Sequence, residues 1–454
     1  MKKMRKMVAI LLTGAMALSL TACGGSETES TGGTEAAAVD TEADDSSARK
    51  SGDIEISVST RYASDNPDES YYREMVEKFN EMDNGIHVTM DNISTESDYL
   101  DKLRTSFANG DTPNVFIEYG GSRCYDYLES DALLDFSSYL NEDQEWYDSF
   151  YDSMWGQSVY DGYDGIYGIP FKTYMVVLYY NKDIFAEQGL TPPATFDELL
   201  DCCAKLKEAG INPFQVGEKD VYRFGHFNNC LVVKSLGVDG VDKLASREIA
   251  YDGDEMMKTY QIMADMVEKG YFGENILDMD ATTENAAFED GKAAMHYDGT
   301  WYIANNLMGT DFYDHVGVVN FPAINAECEN YNQGGNSDIW FASKLNKSDE
   351  EIEASVEFLK YITSTEYFAE NNEVASAIYP AKFTPTVDTP ENPLLDEVNK
   401  IVAATTDMRT DIQNYDADSS MLDTVRNALQ GLAMGNSPEE CAKQIMEEVN
   451  SFEQ

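Results

Sequence analysis

The sequence predicts an α/β protein that folds into two domains. Apolar residues alternate along short stretches and then recur at helical spacing, and this order of strand and helix repeats along the chain. Strands that are separated by helices form parallel sheets with right-handed crossovers. Beyond a polar N-terminal segment about 400 residues remain, a length that is large for one domain and suits two.

The first α/β unit begins at residue 54. Strands are predicted at 54–58, 86–90 and 115–117, where apolar residues alternate or form a short run. Helices are predicted at 69–82 and 96–109, each with its apolar residues on one face. The order strand, helix, strand, helix, strand therefore predicts one parallel sheet.

Polar and aromatic residues follow two of these strands. Arg61 and Tyr62 come after the first strand, and Glu118 and Tyr119 come after the third. Parallel sheets bind ligands beyond the carboxyl ends of their strands, so these four residues are candidate ligand contacts. Polar loops are also normal wherever strands end, and that plainer interpretation stays open.

The N-terminus has the pattern of a secretory signal. Four basic residues lie within 2–6, and 7–18 is an apolar run shorter than the roughly 20 residues that a spanning helix needs. The run Leu-Thr-Ala-Cys that ends at Cys23 resembles a lipobox. We therefore expect a lipoprotein signal peptide over 1–22, a lipid on Cys23 and a disordered polar tether over 23–52. An ordinary secretory signal with an incidental cysteine is the alternative.

The chain is strongly acidic. It contains 83 acidic and 32 basic residues, and the net charge of −51 becomes −55 if the four basic residues of the signal are removed. This charge opposes binding to nucleic acid, which needs a basic face, and suits a neutral ligand better than an anionic one. Surface solubility accounts for much of the charge.

Cysteine and histidine spacing predicts neither a disulfide framework nor a metal site. Six cysteines remain besides Cys23, all but two of them widely spaced, and we expect buried thiols. The four histidines are scattered, and no H-E-x-x-H pattern occurs. We expect no cofactor.

A specific motif lies at residues 288–301. It predicts a helix that ends at Gly291, a buried strand that starts at 293, and a turn that leaves Trp301 at the start of the next helix. The stretch resembles the F-x-x-G-x-A-A-M-x-x-x-G-x-W segment of extracellular solute-binding protein family 1. These are sugar-binding lipoproteins of ABC importers, and the family includes maltose-binding protein. The resemblance implies that this segment crosses between two lobes and that Trp301 stacks on sugar.

Two more segments resemble this family in strands that cross between its lobes. Residues 166–182 match its Y-G-I-P segment, a long strand with a kink at Pro170, whose middle residue Tyr174 is a candidate ligand contact. Residues 332–341 resemble the glycine pair that precedes a strand lining the cleft. A tyrosine ring such as that of Tyr174 also packs commonly within sheets.

Residues 222–228 lead into a helix predicted at 230–236, and the start of this helix faces the ligand in this family, which implies roles for Phe224, His226 and Asn228. A tryptophan that is typical there has no counterpart, and Phe224 or Phe227 takes its place. On the crossing strand at 332–341 the resemblance implies that Asn336 and Asp338 bind hydroxyl groups of the ligand. It leaves Trp340 either in the core or as a platform for the ligand. The candidate ligand-binding residues are, in chain order, Arg61, Tyr62, Glu118, Tyr119, Tyr174, Phe224, His226, Asn228, Asp298, Trp301, Asn336, Asp338 and Trp340.

The resemblance covers nearly all of residues 53–454 and implies a two-lobe periplasmic-binding-protein-like fold with a hinge and an interlobe cleft. We expect lobe 1 to comprise 53–172 plus 299–345, and lobe 2 to comprise 173–298 plus 346–454. The implied ligand is an oligosaccharide, because several aromatic residues at predicted cleft positions suggest several subsites. The implied partners are the ABC permease and, through the lipid, the extracellular face of the cell membrane. We expect a monomer.

Two other classes of protein stay open at this point. A surface glycoside hydrolase needs two carboxylates about 5 to 9.5 Å apart, and a chain so rich in acidic residues always supplies candidates. An adhesive lipoprotein outside transport would lack a closable cleft. We expect a binding protein that is not an enzyme.

Overall fold

The structure is a computed structural model that describes residues 52–375, 377–383, 392–416, 418 and 420–452. The predicted signal peptide, Cys23 and all but the last residue of the predicted tether lie outside the described residues. None of the helices in the described part has the length and apolar character needed to span a membrane.

Within the described residues the chain forms eight strands and fifteen α-helices. The strands are β1 (Ile54–Thr60), β2 (Ile86–Asn92), β3 (Val115–Glu118), β4 (Ile169–Asn181), β5 (Met295–Gly299), β6 (Val316–Asn320), β7 (Tyr331–Ala342) and β8 (Asp407–Arg409). The helices are α1 (Pro67–Glu81), α2 (Glu96–Asn109), α3 (Tyr125–Glu129), α4 (Ser137–Glu142), α5 (Gln144–Ser149), α6 (Lys182–Gln188), α7 (Phe196–Glu208), α8 (Arg223–Ala245), α9 (Asp254–Glu268), α10 (Ala281–Glu289), α11 (Asp349–Ile362), α12 (Thr365–Ala375), α13 (Pro393–Ala404), α14 (Met421–Ala433) and α15 (Pro438–Phe452).

The predicted parallel sheet is confirmed. β1 pairs in parallel with β2 on one side and with β3 on the other. Helix α1 begins where Asn66 accepts a hydrogen bond from the backbone of Glu69 and Pro67 occupies the first turn. Helix α2 ends at Gly110, which adopts the left-handed conformation that glycine tolerates best.

Strands β4 and β7 run through both halves of the structure. The first part of β4, 169–175, pairs antiparallel with β7, and its second part, 176–181, pairs with β5 and β6. The register of β4 against β7 shifts on both sides of Lys172, and the strand changes partners between Met175 and Val176. At its other end β7 pairs with β3, which joins the two sets of strands.

Apolar side chains gather into two large cores and one smaller cluster. The first core packs around β1, β3 and the N-terminal part of β4, and the second packs around α7, α8, α9, α14 and α15. The smaller cluster, around the C-terminal part of β4, contains the helical turn after Trp301 and apolar residues of β6 and α13.

This packing departs from the predicted lobe boundaries in two segments. Helices α11 and α12 pack in the first core, although 346–454 had been assigned to lobe 2. The reason is visible at Phe358, whose ring lies 5.3 Å from that of Phe79 on α1. Conversely, the turn after Trp301 and strand β6 pack on the second half of β4, although 299–345 had been assigned to lobe 1.

Helix α8 is much longer than the sequence indicated. The predicted helix covered only 230–236, but α8 continues through a kink at Gly237, which has φ +70. A side chain at this glycine would lie 3.2 Å from the ring of Tyr331. Helix α13 and strand β8 were not predicted, although Leu394, Leu395 and Val398 give α13 an apolar face at helical spacing. The six cysteines in the described part are free and buried, as expected.

Candidate functional site

A cavity of about 580 Å³ lies between the two cores. The first core supplies the residues after β1 and β3, and the second supplies the start of α8, the segment around 410–414 and the start of α14. The crossing strands β4 and β7 form its floor through Tyr174 and Asn336. The cavity therefore occupies the position that the interlobe cleft was expected to have.

Seven of the thirteen candidate residues line this cavity. They are Arg61, Tyr119, Tyr174, His226, Trp301, Asn336 and Asp338. They come from six separate parts of the chain, and the two strand-end loops meet the crossing strands as the strand-end rule predicts.

The second-core side of the cavity carries a continuous row of rings, which we call the aromatic wall: Tyr222, His226, Trp301 and Tyr174. The ring centroids of Tyr174 and Trp301 are 5.2 Å apart, those of His226 and Trp301 are 6.2 Å apart, and those of Tyr222 and His226 are 5.2 Å apart. Trp301, Tyr174 and Tyr222 are half-buried. Rings held side by side in this way can cover the apolar face of a ligand.

The first-core side carries charges rather than bare rings. The guanidinium of Arg61 lies 4.2 Å from the ring centre of Tyr119, and that of Arg123 lies 4.9 Å from it. Arg61 also forms an ion pair with Asp338, which accepts a hydrogen bond of 2.8 Å from the hydroxyl of Tyr62. Because guanidinium groups occupy the ring of Tyr119, this side chain does not present an open platform.

A second carboxylate, Asp411, anchors the polar groups of the second core. It accepts hydrogen bonds from Asn229 at 2.7 Å, Gln333 at 3.2 Å and Arg426 at 2.6 Å. Burial raises the pKa of Asp411, but the charge of Arg426 and the hydrogen bonds from Arg426 and Asn229 outweigh this effect, and its pKa lies below the ordinary value. Asp411 is therefore ionised at neutral pH, with its oxygen atoms already engaged.

The imidazole of His226 faces the cavity in its neutral form. Burial lowers its pKa to about 4, and the nearby Arg223 and Arg426 act in the same direction against the charge of Asp411. Its Nδ1 has no hydrogen-bond partner within the described residues. A buried polar atom without a partner costs free energy, so Nδ1 is available to a ligand hydroxyl.

Three candidates from the first core lie behind the cavity instead of in it. Tyr62 is 3% exposed and packs edge-on against Trp340, whose indole belongs to the core. Tyr62 acts on the cavity only by holding Asp338. Glu118 is buried, and its carboxylate accepts a hydrogen bond from the backbone of Tyr119. The strand-end rule suggested Tyr62 and Glu118, and the resemblance left Trp340 as either core or platform, but none of the three lines the main cavity.

Three candidates from the second core are also packed away from it. Phe224 is buried with its ring 5.0 Å from that of Phe272. Asn228 accepts a hydrogen bond of 3.0 Å from Thr259, and Asp298 lies 3.0 Å from buried Arg223. Among the described residues of α8, His226 is the one that lines the cavity, and Tyr222 lines it from the position just before the helix.

Several cavity residues were not predicted from the sequence. The largest group comes from the segment 410–426, which brings Asp411, Asn414 and Arg426 to the cleft. This segment has no motif, and only the packing of α14 on α8 carries it there. Tyr222 stood in a predicted ligand-facing stretch, and its place just before the helix was the available signal.

Gly299 allows the indole of Trp301 to lie against the backbone. A Cβ atom on Gly299 would come within 2.2 Å of the six-membered ring of Trp301. Gly299→Ala should therefore push the indole out of the aromatic wall and weaken ligand binding by about 1 kcal/mol, the scale of a small overpacking change. Isothermal titration calorimetry with a ligand identified by its effect on the melting temperature measures this loss.

Gly317→Ala is the matched control for that variant. A Cβ atom on Gly317 would come within 2.3 Å of the ring of Tyr180, which lies on β4 outside the cavity. Both changes overpack an aromatic ring, so both should lower the melting temperature, but only Gly299→Ala should weaken binding. Equal affinity for the two variants would show that the indole position does not matter to the ligand.

The chain is similar to proteins that bind solutes outside the cell. Residues 63–367 match the bacterial extracellular solute-binding protein family. The sn-glycerol-3-phosphate-binding periplasmic protein UgpB of Pectobacterium atrosepticum is 28% identical over 212 residues, which are 44% of this chain and 45% of UgpB. The chain spans about half the length of the curated relatives that it matches.

Solved structures extend the similarity to most of the chain. A chitin oligosaccharide binding protein superposes with a TM-score of 0.76 at 23% identity, covering 88% of this chain and 98% of the other. A protein from work on xylan utilization by Caldanaerobius polysaccharolyticus gives a TM-score of 0.75 at 23% identity, covering 87% and 100%. These matches confirm the predicted two-lobe fold. Since the family match extends over well more than half of the sequence, the protein belongs to the bacterial extracellular solute-binding protein family.

Proposed function

We propose that the protein binds a carbohydrate, an oligosaccharide, in the interlobe cleft and delivers it to the membrane permease of an ABC importer. The aromatic wall carries this proposal. A sugar unit has apolar C–H faces and a rim of hydroxyl groups, and a site for it needs flat rings on one side and hydrogen-bonding groups on the other. The cleft combines Trp301 and Tyr174 with Arg61, Asn336 and Asp338 in this way.

A phosphorylated polyol is the second candidate, because UgpB binds sn-glycerol-3-phosphate and three arginines line the cleft. Two of these arginines already hold carboxylates, since Arg61 pairs with Asp338 and Arg426 pairs with Asp411. A phosphate group would have to compete with those carboxylates at close range, and like charges repel. Among the three, Arg123 has no ion pair to a carboxylate within the described part of the chain. The balance favours a neutral ligand.

Delivery would follow from closure of the two lobes around the ligand. Strands β4 and β7 are the connections about which such a movement would occur, because they belong to both halves. A ligand shifts the population toward the closed form only by its differential affinity for that form. We further propose a monomer that is held at the extracellular face of the membrane by a lipid on Cys23. A glycosidase is disfavoured, because the family is one of solute-binding proteins.

A thermal-shift screen tests the proposed ligand class. Neutral oligosaccharides should raise the melting temperature, since a ligand that binds only the folded state stabilises it by mass action. At a concentration 100 times its Kd, a ligand adds about 2.7 kcal/mol to the free energy of unfolding. A shift with sn-glycerol 3-phosphate and none with any sugar would overturn the proposal. The appearance of new reducing ends during incubation would contradict a binding-only role.

A further inference from the structure

A second cavity of about 310 Å³ adjoins the first, and we call it the annex. Arg123, Asn414 and Leu422 line both cavities, so the two spaces meet at these residues. Glu118, which the strand-end rule had suggested as a ligand contact, lines the annex and not the main cavity.

Both cores contribute to the annex, as they do to the main cavity. Arg104 and Asp126 come from α2 and α3 beside the first core, and Asp423 comes from α14 on the second. Gly121 holds the two sides close together, because a Cβ atom there would lie 2.5 Å from the backbone oxygen of Asn414. A ligand in the annex would therefore touch both halves of the protein.

The lining of the annex is polar and offers no open aromatic face. Its tyrosine, Tyr127, is buried, with its ring centroid 4.3 Å from that of Phe107. The charged groups are two guanidinium groups and three carboxylates, contributed by Arg104, Arg123, Glu118, Asp126 and Asp423. Donors and acceptors of both kinds suit the hydroxyl groups of a sugar unit.

The charges of the annex also discriminate against an anionic group. The carboxylates outnumber the guanidinium groups, so a uronate or a phosphate would find no net attraction there. Burial raises the pKa of Glu118. The hydrogen bond that Glu118 accepts from the backbone of Tyr119 and the charge of Arg123 reduce this increase.

We propose that the annex is an additional subsite, which binds a terminal unit of a neutral oligosaccharide through its hydroxyl groups while the other units lie on the aromatic wall. This inference rests on the proposed function and adds a requirement for chain length. Short oligosaccharides fill the main cavity alone. Longer ones pass Arg123 and gain the contacts of the annex.

The test is the affinity of neutral xylo-oligosaccharides and chito-oligosaccharides of two to six units, measured by calorimetry. For the wild type, affinity should rise with length until the annex is filled. Arg104→Ala combined with Asp423→Asn should remove the last increase, a loss of about tenfold to 150-fold, because hydrogen bonds to charged groups have this magnitude. The affinity for the short oligosaccharides should stay within about twofold of the wild type.

Lys102→Ala is the control, because Lys102 lies on the same helix as Arg104, is similarly exposed, and lines neither cavity. It should leave affinity unchanged at every length. Equal losses for short and long sugars in the double variant would overturn the subsite, and so would no loss at all. Tighter binding of oligogalacturonides than of neutral sugars would overturn its neutral character. If no sugar of any length bound the wild type, the proposed function itself would fail.

Discussion

Replacing Arg223 with methionine is expected to lower the free energy of unfolding by about 3 to 5 kcal/mol at neutral pH. Arg223 is 1% exposed, and its guanidinium lies 2.6 Å from Glu284 and 3.0 Å from Asp298. It also donates to the carbonyl oxygen of Tyr297. His296 lies 3.2 Å and 3.4 Å from the same two carboxylates. Methionine has a similar length but would leave this buried cluster with one cation fewer.

The loss should depend on pH in a defined direction. Burial raises the pKa of Glu284 and of Asp298, but the charges of Arg223 and His296 outweigh it, so both pKa values lie below the ordinary range. Because the pKa values of Glu284 and Asp298 are lower in the folded protein than in the unfolded chain, the two ionised carboxylates stabilise the fold at pH values above their unfolded pKa of about 4. This stabilisation is lost as the pH falls through their folded pKa values. The difference in the free energy of unfolding between the wild type and Arg223→Met should be largest at pH 7 and should become smaller below about pH 4.

Urea unfolding of wild type and variant across that pH range measures both expectations. Arg104→Met is the matched control, because the Arg104 side chain is 67% exposed and lies 3.3 Å from Asp101 at the surface. It should cost about 0.5 kcal/mol or less. If Arg223→Met lowered the free energy of unfolding at pH 7 by no more than this control, the guanidinium of Arg223 would not stabilise the buried cluster that it forms with Glu284 and Asp298.

Trp301→Ala should weaken binding of the oligosaccharide with the highest affinity by about 1 to 3 kcal/mol, which raises its Kd roughly fivefold to 150-fold. The half-buried indole sits between Tyr174 and His226, so it has the central place in the aromatic wall. Removing it takes away the largest flat surface of the cleft and leaves a gap that water enters. Calorimetry gives the change in Kd, and circular dichroism verifies that the fold is kept.

Two further variants serve as controls for Trp301→Ala. Trp301→Phe keeps a smaller ring and should recover part of the affinity. Tyr151→Ala removes an aromatic side chain that is 40% exposed and lies outside the cavity, and it should leave Kd unchanged. An unaltered Kd for a well-folded Trp301→Ala protein would mean that the ligand rests on other groups.

The order of secondary structure was predictable from the sequence because it follows from local patterns. Alternating and helical apolar periods depend on residues a few positions apart, and they located β1 to β3 with parallel pairing. The turn glycines and the motif around Trp301 also act locally. The strand-end rule placed Arg61 and Tyr119 at the cleft, and the resemblance to the family placed five more candidates there: Tyr174, His226, Trp301, Asn336 and Asp338.

Side-chain direction and distant packing were not predictable in the same way. Tyr62 and Trp340 are aromatic residues near the cleft, but both pack inward, because a ring serves a core or a ligand equally well. Asp411 and Arg426 reach the cavity through the packing of the C-terminal segment, far along the chain from the other cleft residues.

The sequence by itself determined the fold class, since alternating and helical apolar spacing is a short-range property, and its resemblance to the family supplied the crossing strands and the place of Trp301. Only the tertiary structure decided which charged groups neutralise each other in the cleft and where the annex opens. Those features depend on distances between residues brought together by both cores, and such distances leave no trace in local sequence patterns.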